Sequence, residues 1–198
     1  MSESYALDRQ LLFVNEYTHS CQYEFEKMKE SAHSKFNMDV FITDTSKVED
    51  INCYFYAIGI TYLPNRSLQR IGAISGKKAM SLCYTMADDL SELFKADMET
   101  LELNVTEVKT GLNPTKYGLI SQIEGMHLGS NQYIVLLYKQ VYPHDHLIFR
   151  DFHFVRYDKE NGFTQKRKWQ RASKLDTRYF WLSDDYILNV NGCYIITQ

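Results

Sequence analysis

The sequence predicts an α+β domain in which helices precede an antiparallel sheet. Three observations carry that expectation. Apolar residues recur at helical intervals before about residue 100 and alternate with polar ones after it. Aromatic residues make up 14% of the chain, with 15 Tyr and 11 Phe, and aromatic side chains pack well on pleated surfaces. Helices followed by runs of strands favour α+β over the alternating order of a parallel sheet.

The first helix is expected over about residues 5–33, where Leu11, Leu12, Val14, Tyr17, Cys21, Phe25 and Met28 keep helical spacing. Residues 1–35 thus read as an N-terminal helical extension of one domain spanning 1–198. Residues 34–51 read as loop with one short strand, Asp39-Val40-Phe41-Ile42. An apolar segment opens at Asn52 and ends in the turn Pro64-Asn65-Arg66-Ser67. The clearest helix runs from about Lys77 to Met98, with Met80, Cys83, Met86, Ala87, Leu90, Leu93 and Phe94 on one stripe. Leu101, Leu103 and Val105 then alternate with polar residues, as in a strand. A loop with Gly111 and Pro114 follows, then a short apolar segment near Leu119–Ile123. Residues 132–142 and 147–157 are strong strands separated by a PHDH turn. DKENG is a hairpin turn, since Asn-Gly tolerates positive φ. FTQKRKW returns, and DDYILNVNGCYIITQ closes the sheet with one or two strands.

The 198 residues suit one domain. Hydrophobic residues at 44% and charged residues at 24% are enough for a sizeable core and exclude disorder as the main state. Lys plus Arg number 22 against 25 Asp plus Glu, a net charge of −3. With a pI near 6.1, an electrostatically driven nucleic-acid binder is disfavoured. No stretch approaches the roughly 18 apolar residues of a membrane span. The acidic start MSESYALDRQLLFV lacks a secretory signal. Location is therefore expected to be cytoplasmic, or external by a route without a classical signal peptide. Cys21, Cys53, Cys83 and Cys193 are scattered without CxxC spacing, so reduced thiols are expected.

Candidate chemistry centres on Asn52-Cys53. Asn is a favoured N-cap, which puts Cys53 at the first helical position. Partial positive charge and free amides at a helix start favour thiolate over thiol. A nucleophilic cysteine also needs a base, although most free cysteines are simply small buried hydrophobes. Asp151-Phe152-His153-Phe154 offers a strand histidine. Alternation puts His153, Val155 and Tyr157 on one face, with Phe152, Phe154 and Arg156 on the other. Gln165 lies twelve residues beyond His153, so both can share a face if the hairpin has no bulge. A polar side chain there could orient the imidazole, the third role in a triad.

NCYFYA, then QRIGAISG, then DFHFVRYDKENGFTQKRKW together resemble an uncharacterised bacterial group of papain-like cysteine peptidases. In that group the pattern reads approximately NCYxYA, QPGxxSG and DYHFYRxDxxGxWSHK, and the arrangement is similar to NlpC/P60-type peptidases. The resemblance covers roughly residues 50–170. It implies a papain-like fold with the nucleophile helix packed on the sheet. It also implies thiol-dependent amide hydrolysis with Cys53 as nucleophile, His153 as general base and Gln165 as third residue. The substrate would be a peptide or protein, with a bacterial secreted effector as one setting. Two departures stand out: QRIG replaces QPG, and QK stands where SHK is usual. The rival reading is a non-catalytic interaction module or degenerate peptidase.

No cofactor or metal is expected. His144, Asp145, His146, Asp151 and His153 cluster in sequence, but PHDH reads as a turn and lacks tetrahedral ligand spacing on rigid elements. KRKWQRASK (166–174) reads as a solvated strand end, given the negative overall charge. No GxSxG, P-loop, HExxH or GxGxxG motif is present.

Overall fold

The computed structural model describes residues 22–62, 68–78, 89–108, 116–142, 145–167, 170–176 and 187–198. The expected turn at Pro64–Ser67, the first part of the N-terminal helix and most of the segment before Leu90 lie outside these residues.

The fold is mixed α+β around an antiparallel sheet. Its helices are α1 (residues 22–32), α2 (Val40–Thr43), α3 (Thr45–Asp50), α4 (Cys53–Ala57), α5 (Leu90–Thr100) and α6 (Lys116–Glu124). The strands are β1 (Asn104–Glu107), β2 (Gln132–Tyr142), β3 (Asp145–Asp158), β4 (Gly162–Gln165), β5 (Ser173–Lys174) and β6 (Ile187–Thr197). They lie in the order β1-β6-β2-β3-β4-β5, and each neighbouring pair is antiparallel. The closing strand β6 thus inserts between β1 and β2.

The two faces of the sheet bury different cores. One joins Tyr133, Val135, Leu137, Phe152 and Phe154 to α4, α5 and the helices before them. The other gathers Ile134, Leu136, Tyr138, Val155 and Cys193 under Leu119 and Ile123 of α6. Alternating side-chain direction along β2 and β3 divides the residues in this way. The first core is aromatic, with the Tyr54 and Phe154 rings stacked at 5.0 Å and Phe94 4.8 Å from Tyr194.

Several local expectations change. Asp39–Ile42 is not a strand: Val40–Thr43 is a helical turn. Asn37 Oδ1 accepts from the Asp39 amide, and the Thr43 hydroxyl bonds the Asp39 carbonyl. These local bonds win over β-propensity where the segment has no ladder to join. Asp44 then caps α3, accepting from the Ser46 and Lys47 amides. Lys77 and Lys78 belong to a turn region, and α5 starts at Leu90 behind its own cap, Asp89. An Asp cap inside an apolar stripe starts α5 and was hidden by the stripe's period. Leu101 ends α5, Glu102 takes φ 58, and β1 begins only at Asn104. The short apolar segment near residue 120 is the helix α6. DKENG closes as a hairpin from Asp158 to Gly162, with Gly162 at φ 70 and the Asn161 amide on Asp158 Oδ1.

Candidate active site

Asn52 holds extended backbone, and its side chain accepts from the Phe55 amide at 3.1 Å. Cys53 is therefore the first residue of α4, as its neighbour's capping chemistry requires. Asn52 is itself gripped. Its amide donates to Gln69 Oε1 at 2.7 Å, its side chain donates to the Gln69 carbonyl at 2.5 Å, and Gln69 Nε2 donates to the Asp50 carbonyl at 2.6 Å. Gln69 opens the QRIGAISG segment, and the same segment supplies a second anchor. The Gly72 and Ser75 amides donate to Asp97 at 2.6 and 2.8 Å, and the Tyr54 hydroxyl reaches the same carboxylate at 2.7 Å. Gly72 has φ 84, and an added Cβ would lie 2.9 Å from Leu93 and Lys78 side-chain atoms. Only glycine fits. NCYFYA and QRIGAISG, separate in sequence, thus form one frame around Cys53.

The far end of α4 is tied to β3. Arg156 Nη1 donates to the Ala57 carbonyl at 3.0 Å, and its Nε pairs with Asp158 at 3.2 Å. The guanidinium lies between the Phe36 and Tyr133 rings, 3.8 and 3.6 Å from their centroids. Cys53, 9% exposed, belongs to the first core. Cys193, by contrast, is sealed in the second core, where burial pushes its thiol up to about 12. Cys21 and Cys83 lie outside the described residues.

His153 Nε2 lies 3.0 Å from Gln165 Oε1, the expected contact across the hairpin. Gln165 Oε1 also accepts from Arg167 Nε at 3.4 Å, so the imidazole carries its proton on Nε2. Burial drives the ring's pKa down to about 4, the Gln165 bond raises it in part, and Arg167's charge lowers it further. His153 is therefore neutral at neutral pH.

The position of this pair relative to Cys53 follows from the sheet. Helix α4 packs on the β3 face that carries Phe152, Phe154 and Arg156. His153 alternates with these and shares the face of Val155, which belongs to the second core.

A cation near the start of α4 is Lys166, which is fully buried. Its ammonium donates to the Val48 carbonyl at 2.7 Å and to the Ile51 carbonyl, both within five residues of Cys53 in the chain. Burial lowers its pKa to about 8, while the nearby Cys53 thiolate and Asp50 carboxylate hold it up. Lys166 was missed in the sequence because KRK reads as a solvated run. The available signal was the SHK column of the resemblance, where Gln165 takes the histidine's place and Lys166 falls on the closing lysine.

No protein-family model, curated protein or solved structure matches this chain. Among the described residues, no three His, Cys, Asp or Glu side chains are grouped to hold a metal, and no helix is long and apolar enough to cross a membrane. A surface cleft floored by Arg156 and Tyr133, with Lys35 and Lys159 at its edge, has neither Cys53 nor His153 in its lining.

The buried neutral His153 has a measurable consequence. A base whose folded pKa lies below its ordinary 6.5 gives stability that is full above 6.5 and lost as pH falls toward 4. Between about pH 7 and about pH 4.5 the wild type should lose roughly 2–3 kcal/mol more than His153→Gln, which has no charge to bury. Urea unfolding at both pH values measures the difference; parallel losses in the two proteins contradict a buried neutral imidazole.

Proposed function

We propose that the chain is a thiol-dependent amide-bond hydrolase of papain-like architecture, with Cys53 as its nucleophile and a peptide or protein as substrate. The observation that carries the reading is the frame around Cys53. Asn52, Gln69 and Asp97 use part-buried and buried polar bonds to fix one helical turn whose first residue is the Cys53 thiol. Such rigidity serves a nucleophile, since small displacements from attack geometry cost large factors in rate.

Cys53 Sγ would attack the carbonyl carbon of the amide, giving a thioester and releasing the amine; water then hydrolyses the thioester. The Cys53 backbone amide, at the start of the turn, is the expected donor to the developing oxyanion. His153 with Gln165 is the base the resemblance implies, and the Gln165 contact supports an ordered ring. Its place on the Val155 face of β3 favours the rival reading, an interaction module that keeps the peptidase frame without the chemistry.

Limited iodoacetamide labelling with mass mapping, followed by cleavage of a mixed peptide library, separates the two. For a hydrolase, Cys53 is modified ahead of Cys21, Cys83 and Cys193, and both alkylation and Cys53→Ala abolish cleavage. No cleavage by the wild type, or cleavage that survives Cys53→Ala, leaves the interaction module.

A further inference from the structure

We propose that the cleft floored by Arg156 binds the carboxylate of a molecule of amino-acid size, as a free amino acid or as the carboxyl end of a peptide. Binding there is independent of Cys53 chemistry.

The cleft forms where distant stretches of chain meet. Lys35 and Phe36 follow α1, residues 129–133 lead into β2, residues 156–161 close β3 into its hairpin, and Gln198 follows β6. Its volume is about 150 Å³, the liquid share of about five waters. Sites for drug-sized ligands run to roughly 300–1,000 Å³. The space suits an amino acid and excludes a nucleotide.

The floor is rigid and charged. Arg156 is 3% exposed, and the Phe36 and Tyr133 rings on its two faces fix the plane of its guanidinium. Pinning α4 takes two of its nitrogens, Nε on Asp158 and Nη1 on the Ala57 carbonyl. Nη2 carries two more N–H donors and makes no hydrogen bond of its own among the described residues. It is not one of the buried side-chain atoms that lack a partner, so it reaches solvent, and Arg156 meets solvent in the cleft. A planar, immobile guanidinium matches a carboxylate and loses little freedom on binding one.

Charge selects the kind of anion. The lining side chains include the cations Lys35, Arg156 and Lys159 and the carboxylates Asp158 and Glu160, a balance of one positive charge. Asp158 is committed to the protein: Oδ2 accepts from Arg156, and Oδ1 accepts from the Asn161 amide and side chain at 2.8 and 2.9 Å. Lys159 Nζ is held by the Leu128 carbonyl at 2.6 Å, which leaves two of its protons for a ligand. One net positive charge suits a monoanion, whereas the two carboxylates oppose a phosphate dianion. Glu160 is 72% exposed and 3.8 Å from Lys35, beyond hydrogen-bond reach. It can therefore take the ammonium group of a free amino acid.

The test is an NMR titration of the wild-type protein at low ionic strength, with arginine side chains labelled with nitrogen-15. L-alanine should shift the Arg156 Nε–Hε resonance and the Gly129 and Asn161 amides saturably, with a Kd of about 1 mM or below. Alaninamide, which has no carboxylate, should leave all three unmoved. Lys159→Met should weaken alanine binding about tenfold, the loss of one charge-assisted hydrogen bond, without disturbing the Arg156 floor. Glu160→Gln should weaken alanine and leave N-acetylalanine unchanged. Gly-Gly-Ala binding more tightly than alanine assigns the site to a peptide end, and the reverse assigns it to a free amino acid; both support it. No saturable shift with alanine or Gly-Gly-Ala, equal shifts with alaninamide, or an unchanged Kd in folded Lys159→Met would overturn the site. Inorganic phosphate binding more tightly than either carboxylate would overturn its assignment to a carboxylate.

Discussion

Asp97→Ala is expected to cost about 3 kcal/mol of folding stability, from two buried donors and one part-buried donor at roughly 1–3 kcal/mol for each buried one. The carboxylate is fully buried and accepts from the Tyr54 hydroxyl and the Gly72 and Ser75 amides. Alanine leaves all three without their acceptor. Against a typical total of about 5–15 kcal/mol, such a loss can unfold the domain at 37 °C. Two milder variants place the effect at these bonds. Tyr54→Phe removes one donor with its bond and should cost about 1 kcal/mol, the net value of one hydrogen bond. Asp97→Asn keeps one acceptor oxygen and should fall between. Urea unfolding of the three variants is the check. An alanine variant within about 1 kcal/mol of wild type would mean that the Asp97 anchor does not hold the frame.

Arg156→Ala should be of similar size, about 3–5 kcal/mol, because it breaks a buried pair by removing one partner. It also opens the slot between Phe36 and Tyr133 and leaves the Ala57 carbonyl without its Arg156 donor. Lysine should rescue little. An ammonium cannot lie flat between two rings while donating in two directions. Thermal unfolding of Arg156→Ala and Arg156→Lys tests this; full rescue by lysine would show that charge alone matters. Both Asp97 and Arg156 act on α4, one on Tyr54 near its start and one at its end, so loss of either should also slow Cys53 chemistry in protein that remains folded.

Parts of this organisation are legible in the sequence, for local reasons. The Asn52 cap, the long strands 132–142 and 147–157, and the DKENG hairpin each follow from one residue's backbone preference or from strict alternation. The division of β3 into a Phe152–Phe154–Arg156 face and a His153–Val155 face is equally readable. The side on which α4 packs is not, because a short helix can dock on either face of a two-sided sheet. It lies on the arginine face, held by Ala57 and Arg156. The helical turn at Val40–Thr43 was hidden because its four residues are β-formers, and side-chain bonds to Asn37 and Asp39 override propensity over so short a span. Lys166 was hidden by composition. A lysine in a basic run reads as solvated, and only the carbonyls of Val48 and Ile51, more than a hundred residues earlier in the chain, show otherwise.

The most direct measurement of Cys53 as the nucleophile is acyl capture. Wild-type protein mixed with p-nitrophenyl acetate at neutral pH is quenched, and the acetylated residue is located by peptide mapping. A burst of nitrophenolate matching one acetyl group per chain, carried on Cys53 and released with turnover, is expected. Absence of a burst, or acetylation spread over surface lysines with Cys53 unmodified, would contradict a nucleophilic Cys53.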